Sequence, residues 1–512
     1  MSSAAASHKD TPLDQIPKYL DELRKTFFSH KTRDIKWRKH QIKQLGFMVQ
    51  DNEQLFKDAI QADLGRHGAE TVLSELNPMK AEINEAYAHV EKWAKPTKVK
   101  TTATWLISSP TVTPQPKGVA LVIGTWNFPV TLTLGPLLGA ISAGCPAVLK
   151  PSEVAANTAA VMAQLLPKYL DPTAYKCVTG GVETSTALLK LNWDHIFYTG
   201  SGSIGRIVAR AASEFLTPVT LELGGKSPSI VFDDADVKVA GRRIAWGKFT
   251  NSGQICIAPD YILCSKKMQP KLIASIRDAL KEFNAPSKES GQGLPLVQNP
   301  QFPKIVSQNH YKRLTKILDA TKGEIVIGGE RDDATNKLEP TVVTGVGFDD
   351  SLMDNEIFGS LLPVITMETK EEMSEFINRG DEPLAIYVFT QNKKNAQYIF
   401  DHTRSGGFVQ NDVLVHFLIP GLPFGGTGKS GVGNYHGKYS FDVFSHQRAS
   451  AAVPTWADFL LASRYPPYTA GKLRMLMLMT GETIRKEPSS LRKLFKTIAT
   501  IAAVLALIKR FA

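Results

Sequence analysis

The residue with most chemistry to offer is Cys256, in Asn251-Ser252-Gly253-Gln254-Ile255-Cys256, where a glycine just upstream frees the backbone to present the sulfur. A thiolate attacks carbonyl carbons when a nearby donor stabilises the oxyanion that forms. Such a reaction needs two companions. Asn127, in Thr125-Trp126-Asn127-Phe128-Pro129, offers an amide N–H for the oxyanion, together with the Cys256 backbone N–H. Glu222, in Leu221-Glu222-Leu223-Gly224-Gly225-Lys226-Ser227-Pro228, offers a carboxylate that partial burial would turn into a base for water. Each residue also has a plainer reading. A lone cysteine is usually a small buried hydrophobe, Glu222 could cap a helix, and Asn127 could be a turn residue before Pro129.

A second site is written in Gly200-Ser201-Gly202-Ser203-Ile204-Gly205, which matches the dinucleotide fingerprint G-x-G-x-x-G and sits where a strand gives way to a helix. Backbone N–H groups at such a helix start can meet a pyrophosphate. Read literally, the fingerprint makes Glu222, 17 residues beyond Gly205, the acid that holds the adenosine ribose. Cys256 would then be inert and the chain a Rossmann-type alcohol dehydrogenase or reductase. A third reading is a non-catalytic, membrane-associated protein on the same scaffold.

The elements that must position these residues follow from periodicity. Residues 13–95 carry Lys, Glu, Gln, Leu and Ala at helical spacing and predict successive amphipathic helices, with no chemistry assigned to them. Residues 96–117 change to Thr, Val and Pro and predict a hairpin or arm that pairs with a second copy, which implies a homodimer. From Gly118, short apolar runs (Val119–Ile123, Ala147–Leu149, His195–Tyr198, Val219–Leu221) alternate with helical stretches. That is the pattern of a doubly wound α/β nucleotide-binding domain. A second α/β region begins after Ser227, with strands expected at Ile230–Phe232, Tyr261–Cys264, Glu324–Ile327, Val364–Met367 and Ile386–Phe389. Residues 420–448 are read as a tight loop and an extended return.

Composition narrows the setting. The chain has 512 residues, 43% hydrophobic and 21% charged, which fits a globular protein of several domains. Its four cysteines show no CxxC or metal spacing, so unpaired thiols in a reducing compartment and no metal site are expected. The start, Met1–Asp10, lacks a signal-peptide pattern, which keeps the catalytic body cytosolic. Net charge is +11, but after Ser463 ten Lys and Arg face only Glu482 and Glu487, leaving +3 for everything before. A basic excess confined to a tail beside apolar residues points to a membrane surface and not to nucleic acid.

Taken together with Leu149-Lys150-Pro151-Ser152-Glu153, Glu356-Ile357-Phe358-Gly359 and Pro423-Phe424-Gly425-Gly426, these strings in this order resemble the NAD(P)-dependent aldehyde dehydrogenase superfamily over roughly residues 15–450. Gly433-Asn434-Tyr435-His436-Gly437-Lys438 and Arg464-Tyr465-Pro466-Pro467-Tyr468 resemble its class 3 branch, which includes membrane-bound fatty aldehyde dehydrogenases. The resemblance implies the aldehyde dehydrogenase fold: a Rossmann-like cofactor domain (1–97 and 116–225), a second α/β catalytic domain (226–431) and a β bridging arm (98–115 and 432–450). A basic, gating region would follow at 451–493. The resemblance also implies oxidation of an aldehyde to an acid through a Cys256 thiohemiacetal and a thioester hydrolysed by Glu222-activated water.

The same resemblance places Lys150 and Glu153 at the adenosine ribose, Ser201 and Trp126 at the pyrophosphate region, Glu356 at the nicotinamide ribose and Phe358 beside the ring. That frees Glu222 for catalysis. Charge on Glu153 disfavours a 2′-phosphate, so NAD is expected first, with NADP possible. One departure is Ser360, where the family usually has proline. His436 is read as structural.

The tail supplies a further expectation. Thr497–Ile508 is twelve residues without a charge, about 18 Å of helix against a bilayer core of about 30 Å. Extended to 494–512, with Lys496, Lys509 and Arg510 snorkelling, a helix reaches about 28 Å, enough for a candidate anchor. An anchored enzyme suits a lipophilic aldehyde, long-chain aliphatic or isoprenoid-derived, including apocarotenals. By resemblance the membrane is endoplasmic reticulum, with mitochondrial outer membrane and lipid droplet as alternatives.

Overall fold

The computed structural model describes residues 10–286, 295–481, 497–498 and 501–502. All of 482–493, and the candidate anchor at 494–512 apart from 497–498 and 501–502, therefore lie outside the described residues. Two compact units emerge, one of residues 1–91 and 116–445 and one of 92–115 and 446–512.

The first unit opens with four amphipathic helices, α1 (Gln15–Phe28), α2 (Ile35–Asp51), α3 (Glu53–Leu64) and α4 (Asn77–Trp93). Each of these helices buries one apolar stripe: Leu45, Val49 and Phe56 are fully buried, while Leu55 faces out. Beyond them the chain forms strands β1 (Ala120–Ile123), β2 (Ala147–Lys150), β3 (Tyr175–Cys177), β4 (His195–Thr199) and β5 (Val219–Glu222). Three of these five short strands, β1, β2 and β4, carry continuous apolar runs and are buried throughout, as expected of strands covered on both faces.

The second sheet is built from β6 (Pro228–Val231), β7 (Tyr261–Cys264), β8 (Glu324–Ile327), β9 (Thr341–Thr344), β10 (Leu361–Thr366), β11 (Ala385–Phe389) and β12 (Gly407–Gln410). Its order is β8-β9-β10-β7-β6-β11-β12, parallel except for β8. Its own apolar core includes Leu263, Leu314, Leu361, Ile386 and Val388.

The first sheet has the order β13-β5-β4-β1-β2-β3, where β13 (Gly431–Val432) runs antiparallel to β5. The chain leaves β1 toward β2 and β3, then returns to lay β4 and β5 on the other side. This reversal makes the β1/β4 boundary a topological switch point, where ligands bind in open α/β sheets. Register matters here. Ile123 aligns with both Lys150 and Tyr198, and Thr199 aligns with Glu222. The segments Thr125–Asn127, Lys150, Gly200–Ser201 and Glu222 therefore all emerge at one edge.

Two helices complete the frame of the site. Helix α5 (Thr131–Ala143) follows Asn127 and has all thirteen residues buried. Helix α6 (Gly202–Ser213) starts at the fingerprint, with Ser201 as its N-cap. Cys256 lies beyond α7 (Val237–Phe249) and five residues before β7, while Glu356 lies five residues before the adjacent strand β10.

One region differs from the sequence reading. Between residues 432 and 445 the chain forms a short helix, Lys438–Val443, in place of a continuous extended return. Aromatic packing accounts for it: Tyr435 and Phe444 both close on Phe197 of β4, at ring-centroid distances of 5.1 and 6.2 Å.

The second unit holds a three-stranded sheet of Thr97–Lys98, Thr111–Pro116 and Ser445–Ser450, with the predicted hairpin between the first two. Its helix Ala470–Thr480 has no buried side chain and exposes Leu473, Met477 and Leu478.

Candidate active site

The turn before Cys256 is built to aim a side chain. Asn251, Ser252 and Gly253 take φ values of 51°, 53° and 75°, three consecutive left-handed residues of which only the last is a glycine. Gly253 is obligatory, because a Cβ there would lie 2.2 Å from the Gly359 carbonyl oxygen. Left-handed non-glycine residues cost energy and persist only where their surroundings hold them. The holding groups are visible. Ser252 Oγ donates to Pro303 O at 2.5 Å, Gln254 Nε2 donates to Asn251 O at 2.9 Å and Lys304 O at 3.1 Å, and Asn251 N donates to Glu70 Oε1 at 2.8 Å.

Asn127, 2% exposed, is tied to this turn. Its Nδ2 donates to Gln254 O at 3.0 Å, and its own carbonyl accepts from Asn251 Nδ2 at 3.1 Å. The same carbonyl accepts from Arg66, a fully buried guanidinium. Arg66 also donates to Asn251 Oδ1 at 3.1 Å and pairs with Glu75 at 2.6 Å. The second oxygen of Glu75 takes Val130 N at 2.7 Å and Thr131 N at 3.1 Å, which caps α5. Arg66, Glu70, Glu75 and Asn251 were all missed by the sequence reading.

Glu222 ends β5, with its backbone carbonyl accepting from Gly200 N at 3.0 Å. Both carboxylate oxygens are buried without a hydrogen bond among the described residues. Burial pushes this carboxyl well above the usual range. The Cys256 thiol is likewise pushed up, by burial first and then by the negative charges of Glu356 and Glu222, while its own N–H and that of Ile257 pull the other way.

A cavity of about 690 Å³ is lined by eight of the eleven residues singled out from sequence: Trp126, Asn127, Gly200, Ser201, Glu222, Cys256, Glu356 and Phe358. The other three sit differently. Lys150 is buried at the end of β2 and pairs with Glu153 at 2.7 Å, forming a separate charge pair on that same edge. Gly205 packs α6 against the sheet, since a Cβ there would fall 2.8 Å from Leu223. A second, apolar cavity of about 120 Å³ reaches Cys256 and is walled by Phe128, Leu132, Trp246, Ile257, Phe417 and Leu418. The two cavities have Cys256 in common.

The profile of the aldehyde dehydrogenase family matches residues 4–449. The chain belongs to the aldehyde dehydrogenase family. It is 42% identical over 458 residues to aldehyde dehydrogenase family 3 member A2 of Rattus norvegicus, covering 90% of this chain and 93% of that one. Its fold is similar to that of the substrate-bound AldH of Staphylococcus aureus, with a TM-score of 0.86, 37% identity and coverage of 90% and 98%. An indole-3-acetaldehyde dehydrogenase in complex with NAD+ matches with a TM-score of 0.77 and 25% identity, over 86% of this chain and 89% of that one. This chain is an NAD(P)-dependent aldehyde dehydrogenase, an oxidoreductase that converts aldehydes to carboxylic acids.

The residues present fit a dinucleotide. Helix α6 presents its N-terminus at Ser201 to the large cavity, and Glu356 holds a buried carboxylate oxygen there without a hydrogen-bond partner. Glu356 lies against Gly224, where a Cβ would come within 2.0 Å of its Oε2. Phe358 and Trp126 close one wall, ring centroids 5.4 Å apart. Ser360 is fully buried and replaces proline without a break in the chain path: its Oγ donates to Leu338 O at 2.8 Å and its carbonyl accepts from Thr341 N at 2.9 Å. His436 lies 3.2 Å from Glu82 in a buried aromatic nest. Among the described residues no His, Cys, Asp or Glu group is arranged to hold a metal.

Proposed function

We propose that Cys256, Glu222 and Asn127 carry out the oxidation, on lipophilic aldehydes that reach Cys256 through the apolar cavity. The observation that carries this reading is the meeting of two unlike cavities at one sulfur, one of about 690 Å³ with Asn127, Glu222 and Glu356 in its wall, the other of about 120 Å³ and almost wholly apolar.

In this mechanism the Cys256 thiolate adds to the aldehyde carbonyl, and the oxyanion is met by the Asn127 amide and the Cys256 N–H. Bound NAD(P)+ supplies the acceptor for the hydride that leaves the adduct carbon, so that a thioester remains. Glu222 then removes a proton from water as that water attacks the thioester, and the acid leaves with the Cys256 thiolate regenerated. A base with a raised pKa suits this step, since it returns to the carboxylate only in the range where its proton can be passed on. Lys150 and Glu153 would hold the adenosine ribose, Ser201 and Trp126 the pyrophosphate region, Glu356 and Phe358 the nicotinamide end. The negative Glu153 makes NAD the preferred cofactor over NADP.

The domain division follows the same reading, with residues 1–97 and 116–225 for cofactor, 226–431 for catalysis, and 98–115 with 432–450 as the arm of a homodimer. Membrane association rests on the basic, apolar sequence after Ser463. No helix among the described residues is long and apolar enough to cross a membrane. The candidate anchor at 494–512 therefore stands on its sequence alone, and endoplasmic reticulum on resemblance.

The test is a panel of short, medium and long aldehydes, including decanal and hexadecanal, assayed separately for NADH and NADPH with wild type and Cys256→Ser. Turnover of long aldehydes by wild type alone supports the reading. Oxidation by Cys256→Ser at the wild-type rate would end it. Deleting residues 490–512 should release the enzyme to the soluble fraction with short-aldehyde activity intact.

A further inference from the structure

The loop that brings Glu356 and Phe358 into the large cavity is held from behind by a charge cluster that the mechanism does not use. At its centre is Asp260, 3% exposed, just before β7. Its Oδ1 accepts the Ile357 N–H at 3.1 Å, and its Oδ2 accepts Lys226 Nζ at 2.7 Å. The same ammonium donates to Leu352 O at 2.7 Å and Asn355 O at 3.0 Å, two carbonyls of that loop. A second buried amine, Lys248, lies 3.7 Å from Asp260 Oδ1. On the other face, Arg313 donates to Ile357 O at 2.7 Å.

Ile357 is thus gripped at both backbone polar groups by side chains remote in sequence, and its two neighbours are the cavity residues. The grip has something to resist. Phe358 sits at φ 48°, a left-handed conformation that a phenylalanine keeps only when its surroundings over-determine it. Releasing the Ile357 N–H would let this turn relax. Relaxation would lift Glu356 from its seat on Gly224 and swing Phe358 away from Trp126.

We propose that Asp260 is a positioning residue for cofactor binding: by receiving the Ile357 N–H while anchored on Lys226, it fixes the strained turn that presents Glu356 and Phe358 together. This rests on the reading that these two residues hold the nicotinamide end. Asp260 touches neither substrate nor cofactor, and Cys256 and the apolar cavity lie outside its contacts.

The experiment uses the full-length enzyme and Asp260→Asn, with NADH binding followed by nicotinamide fluorescence, KM for NAD+ and for aldehyde measured separately, and Cys256 alkylation by iodoacetamide timed without cofactor. The NADH Kd and the KM for NAD+ should each rise about tenfold, the scale of one lost charge-assisted hydrogen bond. Aldehyde KM should not change, and alkylation should not slow, because moving Glu356 takes a negative charge away from the Cys256 thiol. Because Asp260→Asn takes from the fully buried Lys248 the carboxylate with which it pairs, Asp260→Asn with Lys248→Met is made alongside it and should show the same NADH defect if the single variant does not fold. Wild-type NADH affinity in either folded variant overturns the proposal, as does an equal loss of aldehyde KM and alkylation, which would mark a general packing role. Wild-type enzyme that bound no NADH would instead overturn the cofactor site itself.

Discussion

Replacing Arg66 by methionine separates what holds the active-site turn from what merely stabilises the fold. The guanidinium is fully buried and spans four groups: Glu75 at 2.6 Å, Glu70 at 3.8 Å, Asn251 Oδ1 at 3.1 Å and the Asn127 carbonyl, with its flat face 4.5 Å from the Phe128 ring. Methionine fills much of the volume but leaves the Glu75 carboxylate buried without its cation. Breaking a buried pair in this way costs about 3–5 kcal/mol. At roughly 2–4 °C per kcal/mol for a folding unit of 150–250 residues, the thermal midpoint should drop by on the order of 10 °C. Adding Glu75→Gln removes the stranded charge while its amide oxygen can still accept from Val130 and Thr131, so most of that drop should be recovered.

Activity should not follow stability. In the double variant Asn127 and Asn251 keep their direct hydrogen bond but lack the guanidinium that braces both, and the amide proposed to meet the oxyanion is held less firmly. A displaced oxyanion donor costs about 10²–10³-fold in kcat, and because Asn127 keeps its bond to Gln254 O the loss should lie near the lower end of that range. Thermal melts and steady-state kinetics on Arg66→Met, Glu75→Gln and the double variant provide the assay. Recovery of wild-type kcat together with wild-type stability in the double variant would refute the positioning argument and leave Arg66 a structural residue only.

Three further outcomes are expected. Glu222→Gln should give a burst of about one NADH per active site followed by turnover slower by about 10²–10⁴-fold, the usual worth of a general base, because thioester formation does not need the carboxylate and hydrolysis does; a slowed burst with no accumulation would count against the assignment. Leu418→Arg, at the 44% exposed rim of the apolar cavity, should raise KM for hexadecanal while leaving short aldehydes unaffected, and equal effects on both would argue against that route. Burial, and then the neighbouring Glu85, raise the Glu82 carboxyl to about 8, and burial lowers His436 to about 3, so near neutral pH a protonated Glu82 faces a neutral imidazole at 3.2 Å. A carboxyl whose folded value lies above its unfolded 4.5 contributes stability that is full below 4.5 and lost as pH rises through 8; melts across that window should show wild type losing ground to Glu82→Gln, and parallel curves would refute it.

Most of the scaffold could be read from the chain, and most exceptions share a cause. Tyr261–Cys264 and Glu324–Ile327 fall on their predicted bounds, and the four predicted strands of the first sheet fall within one residue of theirs. Of the missed strands, Tyr175–Cys177, Gly407–Gln410 and Gly431–Val432 are short and polar or glycine-bearing, and exist because a neighbouring strand offers a ladder, which is not a local property. Thr341–Thr344 is different: its β-branched, mostly buried residues carry a local strand signal that the sequence reading passed over.

The site divides along the same line. Residues that would react or touch the cofactor sit in strings whose types the chemistry dictates, and eight of the eleven line one cavity. Residues that hold those strings in place are ordinary by type and gain their partners only through folding: Arg66 reaches 61 residues to Asn127 and 185 to Asn251. No spacing rule connects an arginine at the end of a surface helix series to a cysteine turn. What betrays it is burial, because a guanidinium with no access to water must spend its donors on protein, and the acceptors available to it here are those that shape the turn before Cys256. A buried charge that touches two strained segments therefore marks a positioning role that no motif carries, and Arg66 and Asp260 both meet that description, one as a cation behind the Cys256 turn and one as an anion behind the Glu356 loop.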